Sequence, residues 1–350
     1  PHGSLRSLGR FPVAQGRLDS DPPMQSHEPK ADSPQARTSA PGAEAELREG
    51  LGPNRSSAQA AGKGARSRLR AVGKLLVSLL LGGLAVLGSM TAFRLGLLPL
   101  IESAFQPGPS ALSAIRRAGL ISTALAGYWT FVRWHAQRKA SELHLRPRSL
   151  LWGGASGAAM VALPMALLYA LGAYELVLFR GFAPSLLGVA VVIAIAATLE
   201  ELVFRCLLFQ ILEQAWGTRW ALAIQALLFS VQHLENVADG GTRDALTMLV
   251  SVTLTGLLWG AVFVLARNLW TVAAHHAAWN FTILLSGLPL SGIEDWRKLA
   301  PLESRYAGPD WLTGGIFGPE SSLLVIASTT VAVVLLLRAA GRRGAFSAAA

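Results

Sequence analysis

Long apolar runs separated by short polar stretches dominate the chain from residue 71 to residue 343. A run of roughly 18 or more apolar residues is typical of a membrane span, because a helix needs about 20 residues to cross the hydrocarbon core. The pattern predicts an all-α, polytopic membrane bundle of about eight transmembrane helices. The predicted spans are residues 75–93, 117–134, 151–171, 185–210, 220–236, 245–266, 269–287 and 321–338.

The first 70 residues have a different pattern, since they are rich in Pro, Gly, Ser, Ala and Gln and have no sustained apolar period. Such a composition buries too little apolar surface to fold, so residues 1–70 are expected to form a disordered basic tail. Residues 63–74 hold five basic residues and no acidic residue, directly before the first apolar run. Basic flanks of this kind are typical of the cytoplasmic side, where they also meet anionic lipid.

The charges between the predicted spans indicate the orientation of the bundle. The basic residues on the side of the tail are Arg133, Arg138, Lys139, Arg146, Arg148, Arg267, Arg338, Arg342 and Arg343. The acidic residues on the opposite side are Glu102, Glu175, Asp239, Asp244, Glu294, Asp295 and Glu303. Because cytoplasmic loops carry an excess of Lys and Arg, both termini are predicted to be cytoplasmic. Arg116 and Arg117, next to the second span, are exceptions.

Composition narrows the class of protein further. Apolar residues make up 52% of the chain and charged residues 15%, which favours an integral membrane protein. The net charge of +10 does not indicate nucleic-acid binding, because the basic residues are concentrated in the tail and on one side of the spans. The lipid bilayer is the expected partner, and the Ala-, Gly- and Arg-rich composition favours a bacterial cytoplasmic membrane. A single cysteine, Cys206, excludes an internal disulfide and a cysteine-based metal site.

The fourth predicted span contains two adjacent carboxylates, Glu200 and Glu201, with Arg205 one helical turn after Glu201. An ionisable side chain inside a span is costly and is by default a functional hypothesis. Neighbouring positions on a helix point about 100° apart, whereas positions i and i+4 share a face. We therefore expect Glu201 to pair with Arg205 and Glu200 to face a cavity as a general base. The alternative is an ion-paired cluster that only joins helices.

Two further predicted spans carry polar residues. His233 lies one turn after Phe229 near the end of the fifth span, and His276 lies one turn before Asn280 in the seventh. An imidazole and a carboxamide on one helix face could supply two donors to a developing oxyanion. Hydrogen bonding between helices would also explain each residue alone. His275 points about 100° away from His276 and is expected to face elsewhere.

These residues together resemble the three motifs of the CPBP intramembrane protease family, also called the Abi or CAAX-protease-like family, which includes the type II CAAX prenyl endopeptidase. The matching motifs are Glu200-Glu201-xxx-Arg205, Phe229-xxx-His233 and His276-xxx-Asn280. The resemblance covers about residues 185–290 and implies an eight-helix bundle that hydrolyses peptide bonds near the membrane interface. The partner it implies is a protein or peptide substrate at the membrane.

The resemblance also implies roles for the motif residues. Glu200 and His233 would activate a water molecule, while His276 and Asn280 would stabilise the oxyanion. The remaining pair, Glu201 and Arg205, would organise the site.

The sequence leaves alternatives open for the cofactor and for the activity. Glu200, His233 and His276 could form a catalytic zinc site, although the HExxH motif is absent. A metal-free site is favoured, because His276 and Asn280 suit donors better than ligands. A proton-coupled transporter would use similar buried residues, but the sequence has no internal repeat. A non-catalytic immunity or scaffold protein is the third alternative.

Overall fold

The structure is a computed structural model that describes residues 70–238 and 240–348. Most of these residues are helical, which confirms the predicted all-α bundle. The predicted tail lies outside the described residues, apart from Arg70. The helices are α1 (Arg70–Phe105), α2 (Pro109–Trp134), α3 (Pro147–Ala170), α4 (Ser185–Glu201), α5 (Gln210–Val231), α6 (Thr242–Ala266), α7 (Leu269–Leu285) and α8 (Leu323–Arg342).

Five helical segments of the described chain are long and apolar enough to cross a membrane. They are Arg70–Phe105, Pro147–Ala170, Ser185–Val231, Thr242–Ala266 and Leu323–Arg342. The segment Ser185–Val231 contains the fourth predicted span and most of the fifth, and Gly217 interrupts it with a φ of 78°. The fifth predicted span was too long at its end, because the helix stops at Val231 and His233 lies in the turn that follows. The second and seventh predicted spans correspond to α2 and α7, of which α7 has only 17 residues. The number of eight spans stays a prediction.

Helix α4 runs directly into a π-helical stretch, Leu202–Phe209, which contains Arg205. π-helical turns inside α-helices are rare and are frequent at functional sites. This one begins immediately after Glu201, so the motif of the fourth span lies at the change of helical geometry.

Two small residues of α3 allow it to pack closely on α7. A Cβ atom added at Gly153 would lie 2.3 Å from the carbonyl oxygen of Thr271, and one at Gly157 would lie 2.1 Å from that of His275. Only glycine permits this separation of the two backbones, as in the small-residue interfaces of membrane helices. The contact fixes the part of α7 that carries His276.

A two-stranded antiparallel sheet connects two segments that lie between predicted spans. Strand β1 (Tyr174–Phe179) follows α3, and strand β2 (Leu302–Tyr306) lies in the loop before α8. The ion pair between Glu175 and Arg305 joins the strands, with 2.5 Å between Oε2 and Nη2. Each strand is short and the two are about 130 residues apart, so no hairpin signal predicts them.

Candidate active site

A cavity of about 290 Å³ opens between α4, α5, α6, α7 and the loop before α8. Four predicted site residues, Glu200, His233, His276 and Asn280, line it. The other lining residues are Ile193, Ala196, Phe229, Gln232, Asn236, Val252, Thr255, Trp259, Leu290, Ser291, Ile293, Trp296 and Glu320. The structure thus brings together three motifs that the sequence separates by up to 80 residues.

Glu201 lies behind the cavity wall, where its side chain is fully buried and contacts two residues. Its Oε2 lies 3.1 Å from Nε of Arg205, and its Oε1 lies 2.9 Å from Nδ1 of His276. The contact with Arg205 is an ion pair whose angles are not those of a hydrogen bond. Glu201 therefore occupies the position expected from its spacing to Arg205, and it also fixes a histidine on another helix.

The buried Arg205 guanidinium has two further neighbours. Its Nη2 donates to the carbonyl oxygen of Gly256 over 3.2 Å, and its central carbon lies 4.5 Å from the centre of the Phe229 ring. A guanidinium over an aromatic face is attracted by the ring quadrupole, and the attraction strengthens when water is excluded. Glu201, Gly256 and Phe229 together hold the charge of Arg205 away from the cavity.

His276 is held on three sides. Nδ1 faces Glu201, and the imidazole stacks on Trp259 with ring centres 3.6 Å apart and planes inclined by 19°. The other nitrogen, Nε2, lies 3.9 Å from Oε2 of Glu200. The ring thus presents Nε2 to the cavity, opposite the first glutamate.

The Nδ1 atom of His233 also has a hydrogen-bond partner, although this partner is a backbone group. Its Nδ1 donates to the carbonyl oxygen of Phe229 over 2.7 Å, and the two rings are 4.7 Å apart. In the neutral ring this bond leaves a lone pair on Nε2. The four-residue spacing of the motif thus has a local cause, because His233 bonds the carbonyl one turn before it.

Asn280 follows His276 by one turn and lines the same cavity. Its Oδ1 is buried and has no hydrogen-bond partner among residues 70–238 and 240–348. A buried polar atom without a partner costs free energy and calls for a reason. The amide therefore has hydrogen-bonding capacity to spare for a bound molecule.

His275 does not line the cavity, in agreement with its expected direction. Its Nδ1 accepts a hydrogen bond from Nε1 of Trp259 over 3.2 Å, and only 3% of the residue is exposed. His275 thus orients the tryptophan on which His276 stacks.

Sequence reasoning missed two residues of the site. Trp259 forms the floor beneath His276, and Glu320, in the loop before α8, is a buried carboxyl at the cavity wall. The one signal for Glu320 was an acidic residue three positions before Leu323, where an apolar run begins. Its position near α7 depends on the path of the chain through residues 288–320, which connect the seventh and eighth predicted spans.

The donor set gives a limited fit to a metal ion. Within the described residues, no three His, Cys, Asp or Glu side chains converge as ligands of one ion would. His233 and His276 each have Nδ1 occupied by a hydrogen-bond partner, which leaves Nε2 of each ring for either ligation or hydrogen bonding.

The fold and the cavity define an integral membrane helix bundle with a buried site of glutamate, histidine and asparagine. The model of the family "Type II CAAX prenyl endopeptidase Rce1-like" matches residues 181–282 of the chain. This match confirms the resemblance inferred from the three motifs, all of which lie within the matched residues. It indicates a CAAX protease-type peptidase with a peptide or protein substrate at the membrane. No curated protein and no solved structure gave a significant match.

Proposed function

We propose that the protein is an intramembrane endopeptidase that hydrolyses a peptide bond of a membrane-associated or lipidated protein or peptide. The observation that carries the proposal is the division of the paired glutamates. Glu201 is engaged behind the wall by Arg205 and His276, while Glu200 faces Nε2 of His276 in the cavity. A structural ion pair needs only one of the two carboxylates, so the second is available for chemistry.

Water activation is assigned to Glu200 and His233. The Glu200 carboxylate accepts a proton from water, and the lone pair on Nε2 of His233 accepts the second hydrogen of the same molecule and orients it. The hydroxide then attacks the carbonyl carbon of the peptide and forms a tetrahedral oxyanion. Glu200 returns the proton to the leaving nitrogen, and the C–N bond breaks as the oxyanion collapses to a carboxylic acid. The acid proton passes to Nε2 of His233, which leaves an amine and a carboxylate.

Stabilisation of the oxyanion is assigned to Asn280 and His276. Asn280 lines the cavity, and the Nδ2 group of its amide supplies one donor, while Oδ1 is an acceptor and takes no part in this step. Nε2 of His276 would donate once the ring has taken up a second proton from solvent. The ionised Glu200 and Glu201, which lie on the two sides of the ring, would together balance the charges of His276 and Arg205. Donors held in place before the reaction are worth more than mobile ones, since they need no reorganisation.

A zinc ion held by Glu200, His233 and His276 would supply a Lewis acid that activates water, but among the described residues these three side chains do not converge as ligands of one ion would. The proposed steps do not require it. Metal analysis of the purified protein, paired with Glu200→Gln and His233→Ala variants, tests this point. A stoichiometric metal that both variants lose would contradict the metal-free assignment.

The proposed activity is tested by comparing the protein termini in membranes of cells that express the wild type or Glu200→Gln. We expect new C-termini in the wild type that are missing with Glu200→Gln. The matched control is Glu294→Gln, which removes an exposed carboxylate from the loop before α8. The same set of termini in all three samples would rule out the proposed protease activity.

A further inference from the structure

Glu320 is the second carboxyl of the cavity and lies outside the residues that the family model matches. Only 4% of the residue is exposed. Its Oε1 accepts from Nε1 of Trp279 over 3.2 Å, and its Oε2 accepts from Oγ of Ser291 over 2.6 Å. Both neighbours donate, so the site is arranged around an acceptor.

The cavity lining provides no Lys or Arg for this carboxyl, and its nearest ionisable neighbour is His233. The lining contains two acidic residues, Glu200 and Glu320, and neither Lys nor Arg. The nearby Arg205 lies behind the wall against Glu201. Within the described part of the chain, Glu320 forms no ion pair with Lys, Arg or His. Burying a carboxylate without a partner of opposite charge is costly.

The two hydrogen bonds do not use the full capacity of the group. An ionised carboxylate has about four acceptor sites, and Trp279 and Ser291 use two of them. Burial raises the pKa of Glu320, although the bond from Ser291, the nearby His233 and the bond from Trp279 act in the opposite direction. A cation that entered the cavity would stabilise the ionised form and use the remaining sites.

We propose that Glu320 binds a basic side chain of the substrate, so that the enzyme selects peptides with Lys or Arg close to the bond that is cut. The proposal rests on the proposed function, because it assumes that a peptide occupies the cavity. It also implies that an acidic side chain or a free terminal carboxylate is repelled from the same position, since Glu200 and Glu320 carry the same sign.

The test uses binding, so that it does not depend on catalysis. The probes are N-palmitoylated nonapeptides that are identical except for Lys, Gln or Glu at the central position. Their affinity is measured for the full-length protein in nanodiscs, in a Glu200→Gln background that prevents turnover. We expect the Lys peptide to bind at least about tenfold more tightly than the Gln peptide, the low end for a charge-assisted hydrogen bond. Glu320→Gln should remove this preference, whereas Glu294→Gln should keep it.

Equal affinities for the Lys and Gln peptides in the protein that retains Glu320 would overturn the proposal. So would an equal weakening of all three peptides by Glu320→Gln, which would assign the residue to positioning of Trp279 and Ser291. The wild type is also tested for cleavage of the same peptides. Selective binding without any cleavage would contradict the proposed protease activity and support the role of Glu320.

Discussion

Nδ1 of His276 lies 2.9 Å from Oε1 of Glu201, although the two residues are on different helices and 75 positions apart in the chain. The second glutamate of the motif thus has two tasks, since it balances Arg205 and fixes the orientation of His276. The first glutamate is left facing the cavity.

Glu201→Gln should lower kcat by about 10–100-fold with a small effect on KM, the usual cost of removing a group that orients a catalytic histidine. It should also destabilise the protein by about 3–5 kcal/mol, because Arg205 is left buried and unpaired. Steady-state kinetics and thermal unfolding in detergent measure the two effects.

The double variant Glu201→Gln/Arg205→Met separates the effect on kcat from the effect on stability. It removes the unpaired charge, so stability should recover while kcat stays low. Recovery of kcat together with stability would mean that Glu201 acts only through the fold.

Gly157→Ala should reduce both stability and activity. The added Cβ would lie 2.1 Å from the backbone oxygen of His275, so α3 and α7 must move apart and His276 moves with α7. The matched control is Gly154→Ala on the same helix, where nothing lies within 4 Å of the added atom. We expect that control to be neutral or slightly stabilising. Similar melting temperatures and activities for the two variants would contradict the proposed helix contact.

The Glu142 carboxylate should stabilise the protein in a pH-dependent way. Burial raises the pKa of Glu142, but the hydrogen bonds from Arg138 and Tyr128 outweigh burial and hold the pKa below its usual value. A lowered pKa in the folded state gives stability that is present above the unfolded pKa of about 4.3 and is lost as the pH falls further. The difference in melting temperature between the wild type and Glu142→Gln should therefore shrink as the pH falls from about 5 to about 3. A constant difference would exclude a contribution from this ionisation.

The predicted orientation can be measured with introduced cysteines. The one native cysteine, Cys206, is buried, so a membrane-impermeant maleimide should label only new sites. We expect Asp295→Cys to react from the non-cytoplasmic side of intact cells, and Ala348→Cys to react only after the membrane is opened. Labelling of Ala348→Cys in intact cells would reverse the assignment.

Local spacing explains which parts of the site the sequence could predict. Glu201 and Arg205 are one helical turn apart, as are Phe229 and His233, so each contact follows from helix geometry. The resemblance then predicted that the three motifs form one site. In the structure, residues of all three motifs line one cavity.

Contacts between residues that are far apart in the sequence could not be predicted from helical spacing. Trp259 beneath His276 is an apolar residue of a predicted span, with nothing in its sequence context to distinguish it. Glu320 reaches the cavity only because the loop before α8 folds back towards α7. The pairing of β1 with β2 has the same cause, since the strands meet across about 130 residues.

The most direct test of the central claim is peptide hydrolysis in ¹⁸O-labelled water by the purified protein in proteoliposomes. Mass spectrometry of the products shows whether a new carboxylate carries ¹⁸O. The account predicts labelled products with the wild type and with Glu294→Gln, and a rate at least about 10³-fold lower with Glu200→Gln, which removes the general base. Undiminished cleavage by Glu200→Gln would contradict the assignment of Glu200 as the group that activates water.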